Sequence, residues 1–306
     1  MMSKLVKIAT RKSALALWQA NHVQALLCDA HPGIDVELVK IVTKGDRIID
    51  RPLAEIGGKG LFLKELETAL LNGDADLAVH SMKDVPAEMP AGLVLEAVLP
   101  RANPYDALVS RDGRLLAELP AGSRIGTCSL RRQSMLLALR PDLVVTELRG
   151  NVDTRLRKLD EGQYEAIILA CAGLQRLGLG DRITETLDGP GWLPASTQGI
   201  IGLQCREDDA QTKALIAPLA DQDTAVVAFA ERAVARVLEA SCQVPLAVHG
   251  VLTGDMVKLD AVVGTPDGTE VVKASGNAPA SQAVTLGEQI AADLIKNGAK
   301  KIIQSL

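Results

Sequence analysis

The chain has 306 residues, 47% hydrophobic and 23% charged, with a net charge of −5. That composition excludes a disordered chain and supplies enough apolar mass for two or three domain cores. The acidic balance and 2% aromatics exclude a general polyanion binder and a base-stacking surface, so no nucleic-acid partner is expected.

Five cysteines, Cys28, Cys128, Cys171, Cys205 and Cys242, are odd in number and include no C-x-x-C pair. They read as reduced thiols of a cytoplasmic protein with no metal site. Cys28 reads as packing on a helix face. Arg11 and Lys12 interrupt any apolar leader, and the longest apolar run, 166–174, falls short of the roughly 18 residues a membrane span needs. No membrane association is expected.

Residues 5–10 read as a strand, 14–30 as a helix with Leu15, Trp18 and Leu26 on one face, and 36–42 as a second strand. This order predicts parallel pairing through a right-handed crossover. The stretch 43–60 carries Lys44, Arg47, Arg51 and the cluster Gly57-Gly58-Lys59-Gly60. It reads as a lid or binding loop, and its glycine spacing is not that of a P-loop. A helix over 61–71 leads to a strand over 74–79 and then to His80-Ser81-Met82-Lys83-Asp84-Val85-Pro86. Pro86 disfavours helical backbone at Val85. His80, Ser81, Lys83 and Asp84 are therefore expected at a strand-to-loop exit, where open α/β sheets bind ligands. A lysine beside an aspartate there can hold an anion and set a carboxylate against developing positive charge.

Residues 93–99 read as a strand and 100–104 as a hinge. Strands follow over 106–109, 123–127, 143–148 and 166–170, with helices over 129–139 and 152–161 and a helical turn beginning at 174. Ser129 is a good N-cap type. A turn-rich crossover, 190–199, leads to a strand over 200–203 that returns to the first unit. The first lobe is thus expected over 1–99 with 200–218, the second over 104–195 and a C-terminal domain over 222–306. In the last, a helix over 224–239, strands over 244–252, 256–263 and 270–274, and a helix over 281–297 make a small α+β domain.

The middle of this acidic chain is basic. Residues 124–158 hold seven arginines and one lysine against Asp142, Glu147 and Asp153, a local excess of five positive charges. Arg131, Arg132, Arg149 and Arg155 fall at strand ends or helix starts, and a guanidinium fork matches carboxylates. Such a cleft suits a small molecule with several carboxylates, or phosphates. A solvated helix face accounts for Arg157 and Lys158 but not for the strand-end arginines. Cys242 sits in Ala240-Ser241-Cys242-Gln243-Val244-Pro245, between helix and strand, where a thiol can be exposed enough to carry a covalent group.

Ile8-Ala9-Thr10-Arg11-Lys12-Ser13, Gly57-Gly58-Lys59-Gly60-Leu61-Phe62, His80–Pro86, Gly126–Arg132, Arg149–Arg155, Gln198-Gly199 and Cys242-Gln243-Val244-Pro245 run in one order over nearly the whole chain. Each is a weak motif, but the ordered set is specific, and it resembles the porphobilinogen deaminases, also called hydroxymethylbilane synthases. The resemblance implies an α/β fold with two periplasmic-binding-protein-like lobes of mixed sheets, plus a small C-terminal α+β domain carrying the cofactor cysteine. It implies one covalent dipyrromethane per chain, joined by thioether to Cys242. Four porphobilinogen molecules are then added to it with loss of ammonia, and hydrolysis frees hydroxymethylbilane. It makes Asp84 the catalytic carboxylate and Ser81, Lys83, Ser129, Arg131 and Arg132 cofactor contacts. Arg11, Ser13, Arg149, Arg155, Arg176 and Gln198 become substrate contacts, with Lys59 and Phe62 in the loop. Partners are then porphobilinogen and the growing oligopyrrole, and a monomer is expected.

The chain departs from the family at Glu55, where some relatives carry lysine, and at Ala240-Ser241, where paired glycines are common. It also has Thr197 where Gly-Gln-Gly is frequent and Cys128 where serine is common. If the glycines before the cysteine need positive φ, Ala240 would be strained. The competing expectation is a non-catalytic two-lobe binder of a carboxylate-rich molecule, which leaves Asp84 and Cys242 without a task.

Overall fold

The computed structural model describes residues 5–43, 63–240 and 244–306. The expectations for the 43–60 loop beyond Thr43, and for Lys59, Phe62 and Cys242, fall outside the described residues. The chain divides into two compact units at 101/102, 199/200 and 225/226.

The first unit holds β1 (Leu5–Arg11), α1 (Ala14–Ala30), β2 (Asp35–Ile41), α2 (Lys64–Leu71), β3 (Leu77–Ser81), β4 (Leu93–Val98), and later β10 (Ile201–Arg206) and α6 (Ala210–Ile216). Its sheet runs β2-β1-β3-β10-β4. β1 is parallel to both β2 and β3, as the β-α-β pattern predicts, whereas β10 is antiparallel to β3 and β4. Ala20, Val23 and Leu27 of α1 pack with Ile8, Leu77, Leu203 and Ile216 as one core. Leu66 and Leu70 of α2 pack with Ala9 and Ala78 as another. Cys28 is exposed, so it does not pack as expected; the buried stripe of α1 runs through Gln19, Ala20, Val23 and Leu27 instead.

The second unit begins with β5 (Asp106–Ser110), β6 (Arg124–Gly126), α3 (Leu130–Leu139), β7 (Val144–Thr146), α4 (Val152–Asp160), β8 (Ala166–Ala170), α5 (Cys171–Arg176) and β9 (Glu185–Leu187). Their sheet, β7-β6-β8-β5-β9, repeats the arrangement of the first. β6 is parallel to β7 and β8, and β5 runs antiparallel to β8 and β9. α5 starts three residues before the turn expected at 174. Residues 171 to 174 are all buried, so no polar face marks the helix period there.

The unit closes with a sheet of β11 (Leu246–Thr253), β12 (Met256–Gly264) and β13 (Val271–Pro279), then α8 (Ala283–Lys296) and α9 (Ala299–Gln304). α7 (Gln222–Val237) begins in the first unit and ends in the second. Ala230 and Val234 of α7 share a core with Val248, Leu259, Leu286, Ile290 and Ile302. β13 runs well past the expected end at 274. Ser275, Gly276 and Asn277, beyond that end, pair with Asp260, Leu259 and Lys258 of β12. A Cβ on Gly276 would stand 3.1 Å from Leu286, so glycine there admits α8 onto the sheet.

Candidate functional site

Each five-stranded sheet sends the carboxyl ends of its parallel strands to one edge, and the site residues of that unit gather there. In the first unit, β1 ends at Arg11 and leads into Ser13, which caps α1 by accepting from the Ala16 N–H. The parallel neighbour β3 ends at Ser81. The strand continues two residues beyond the expected end at Val79, since His80 and Ser81 still pair with Gly202 and Ile201 of β10. Met82–Asp84 then forms a single 3₁₀ turn, held by the Met82 N–H to Ile200 O at 3.0 Å. Asp84 is exposed on that turn, and its carboxylate has no hydrogen-bond or ion partner among the described residues. Gly202 leaves room for the Met82 side chain: a Cβ there would lie 2.2 Å from the Met82 sulfur.

Behind this edge lie Gln19 and Gln204, which no sequence motif singles out, and His80, the first residue of the 80–86 motif. Gln19 of α1 donates to Ser81 Oγ at 2.8 Å and so orients the hydroxyl. His80 is buried, with Nε2 2.8 Å from Gln204 Oε1. Because Gln204 Nε2 points to Glu67 Oε1 at 3.4 Å, its oxygen is left to accept and His80 Nε2 carries the proton. Burial draws the His80 pKa down to about 4, partly opposed by the Gln204 hydrogen bond and aided by Arg11.

In the second unit, β6, β7 and β8 lead into the basic residues. Ser129 caps α3 as expected, accepting from the Arg132 N–H at 3.4 Å. Arg131 and Arg132 occupy the first turn of α3 and are buried, not splayed toward solvent. Both close on Asp106, at 2.7 and 2.8 Å. Burial lowers the pKa of Arg131, and Asp106 opposes the shift. The Asp106 carboxyl is raised by burial, but Arg131 and Arg132 outweigh this and hold it well below the usual range. Gln198 is buried too and donates to the same carboxylate at 3.0 Å.

Arg149, after β7, pairs with Glu147. Arg155, on the first turn of α4, donates to Gly150 O at 2.7 Å and lies 3.9 Å from Cys128 Sγ, with no carboxylate partner among the described residues. Burial lowers its pKa, as do the neighbouring Arg132 and Arg149 charges, against a raising contribution from Cys128. Arg176 ends α5 and donates to Gly199 O at 2.7 Å; burial draws its pKa down to about 10. Arg157 is exposed, as a solvated helix face requires. Arg140 and Arg124 pair with Asp142 and Glu165 on the surface and have no place in the site.

Strain falls beside the expected position. Ala240 is not left-handed; Glu239 and Thr197 are, at φ 49° and 58°. Thr197 is held there because its N–H donates to the buried Glu231 carboxylate, whose other oxygen accepts from Gly250 N at 2.7 Å.

Fold and site together define a two-lobed α/β protein whose second lobe buries two guanidiniums against one carboxylate. Residues 6–214 match the family described as porphobilinogen deaminase, dipyromethane cofactor binding domain, and residues 225–296 match the porphobilinogen deaminase C-terminal domain. The chain belongs to the porphobilinogen deaminase family: its members are transferases, and their cofactor is dipyrromethane. Among solved structures the chain is similar to the VFT2 domain of Bordetella pertussis BvgS, at 17% identity over 73% of this chain and 91% of that one, with a TM-score of 0.42. It is similar also to the methionine-binding protein MetQ, at 17% identity over 70% and 89% of the two chains with a TM-score of 0.45. The sulphonate-binding protein SsuA of Escherichia coli follows at 17% identity, 77% and 71% coverage and a TM-score of 0.41.

The donor set fits the cofactor's chemistry. Dipyrromethane carries several acid arms, and the second lobe offers Arg155, which has no acid partner among the described residues, and two guanidiniums sharing one carboxylate. No group of His, Cys, Asp and Glu among the described residues could hold a metal ion. No helix among them is long and apolar enough to cross a membrane.

Proposed function

We propose that the chain catalyses the hydroxymethylbilane synthase reaction. It adds four porphobilinogen molecules, one at a time and head to tail, to its dipyrromethane, releases ammonia at each addition, and hydrolyses the finished tetrapyrrole free. When bound, the dipyrromethane supplies the pyrrole carbon on which the chain grows. Cys242 anchors it by thioether. Ser129, Arg131, Arg132, Ser81 and Lys83 hold its acid arms and rings. Arg11, Ser13, Arg149, Arg155, Arg176 and Gln198, with Lys59 and Phe62, receive the incoming units.

Asp84 meets the reacting carbon. Loss of ammonia from the aminomethyl arm of porphobilinogen leaves a cation. An exposed carboxylate with no partner among the described residues is free to stand against that charge and to carry protons. The observation that supports the reading is the buried pair Arg131 and Arg132 sharing the single Asp106 carboxylate, a positive charge that costs free energy unless an anion completes it. We propose further that the protein acts as a cytoplasmic monomer, with no nucleic-acid or membrane partner.

Intact-protein mass tests this directly. The purified protein should exceed its sequence mass by two pyrrole units, and Cys242→Ser should remove the excess. Asp84→Ala should keep the fold and the adduct, yet lose nearly all turnover, on the order of a hundredfold or more. A native protein with no adduct and no ammonia release from porphobilinogen would sink the proposal. Carboxylate binding without ammonia release would make it a binding protein.

A further inference from the structure

Asp106 opens β5 and is fully buried. Its register sets it opposite Ala170, at the end of β8, and Leu187 of β9, so it stands at the edge where the arginines gather. Both oxygens are saturated. Oδ1 accepts from Arg131 Nη2 at 3.2 Å, Arg132 Nε at 3.0 Å, Arg132 Nη2 at 2.8 Å and Gln198 Nε2 at 3.0 Å. Oδ2 accepts from Arg131 Nη1 at 2.7 Å and from the indole of Trp192 at 2.9 Å. Backbone carbonyls take one more donor from each arginine, Leu193 O at 2.8 Å and Ile168 O at 2.9 Å.

We infer that Asp106 is a positioning residue for the reaction: its carboxylate fixes the Arg131 and Arg132 forks and leaves the pair one positive charge in excess, so that it takes one acid arm of the pyrrole chain. The inference rests on the function proposed above. Two arguments separate it from simple core packing. First, both arginines stand in the first turn of a helix, where the macrodipole already disfavours cations. One carboxylate shared by two guanidiniums does not balance them, whereas an apolar cluster of the same volume would serve stability as well. Second, the remaining N–H groups, Nε and one Nη2 proton of Arg131 and one proton on each Nη of Arg132, have no acceptor among the described residues. The side chains are 6% and 7% exposed, so only the rim of each fork is reachable. A carboxylate meets such a rim bidentately and in one orientation. Trp192 and Gln198 tie this geometry to the 190–199 crossover.

The test is Asp106→Asn in the full-length protein, which keeps the volume and removes the charge. We expect kcat/KM for porphobilinogen to fall about tenfold or more, mainly in kcat, because misplaced forks misorient the chain. The ladder of enzyme-bound intermediates read by mass should shift to shorter species. A purely structural role lowers the unfolding midpoint but leaves the ladder and kcat of the folded variant unchanged, and that result overturns the inference. Should Asp106→Asn fail to fold, Trp192→Phe removes one donor to Oδ2 and no charge, and a fall in kcat/KM of about three- to tenfold with normal cofactor loading is expected. Wild-type kinetics in Trp192→Phe beside an unfolded Asp106→Asn overturn the inference. A wild type without adduct or turnover instead marks failure of the function itself, and the inference falls with it.

Discussion

The imidazole of His80 lies out of water at the end of β3, and burial holds it neutral down to about pH 4. The unfolded chain takes up that proton near pH 6.5, so stability from this group is full above pH 6.5 and drains as the pH falls toward 4. The difference amounts to about 3 kcal/mol. Urea midpoints followed across that window should fall for the wild type, and His80→Gln should remove most of the slope. Thr197 and Gly199 pose the complementary problem of backbone shape. Both are left-handed, but a Cβ on Gly199 would lie 2.6 Å from Ala102 O, a backbone atom that cannot swing away. Gly199→Ala should therefore cost more than about 2 kcal/mol of unfolding free energy. Thr197→Gly should stay within about 1 kcal/mol of wild type, since relief of strain is offset by the freer unfolded chain and by the lost Thr197 Oγ1 bond to Ser196 O.

At the scale of elements, the site depends on how strands end. β3 gives way to the 3₁₀ turn that presents Asp84, and the turn packs because Gly202 on the neighbouring strand leaves room for Met82. Gly202→Ala should lower stability by about 1–3 kcal/mol through overpacking and reduce kcat by displacing Asp84. The paired change with Met82→Ala should restore part of the turnover, measured with porphobilinogen. These elements were largely legible in sequence: the 166–170 strand has the expected bounds, and α1 runs from Ala14 to Ala30 as its apolar spacing predicts. Elements whose burial lacks alternation were not. α5 is buried all along its start, and β13 carries a glycine and polar residues that resemble a turn until α8 covers them.

Over the whole molecule, a net charge of −5 coexists with a local excess of five positive charges over residues 124–158, so long-range attraction of an anion is weak and, under the proposed function, ligand capture rests on local charge. Added salt should therefore raise KM for porphobilinogen with a smaller change in kcat, measured as initial ammonia release between low and physiological ionic strength. An unchanged KM would mean that the arginines are not the groups that meet the acid arms.

The sequence by itself carried the α/β class, the strand ends that bear Arg11, Ser81, Asp84 and the arginines, and the family, because period, capping and motif order are local properties of the chain. It did not reveal that Arg131 and Arg132 share Asp106, that Gln198 and Trp192 complete the same carboxylate, or that β5 and β10 run antiparallel. Those facts depend on residues tens of positions apart meeting in space. Burial then decides the protonation of His80 and Asp106, and nothing in a residue's neighbours along the chain records how much water it will keep.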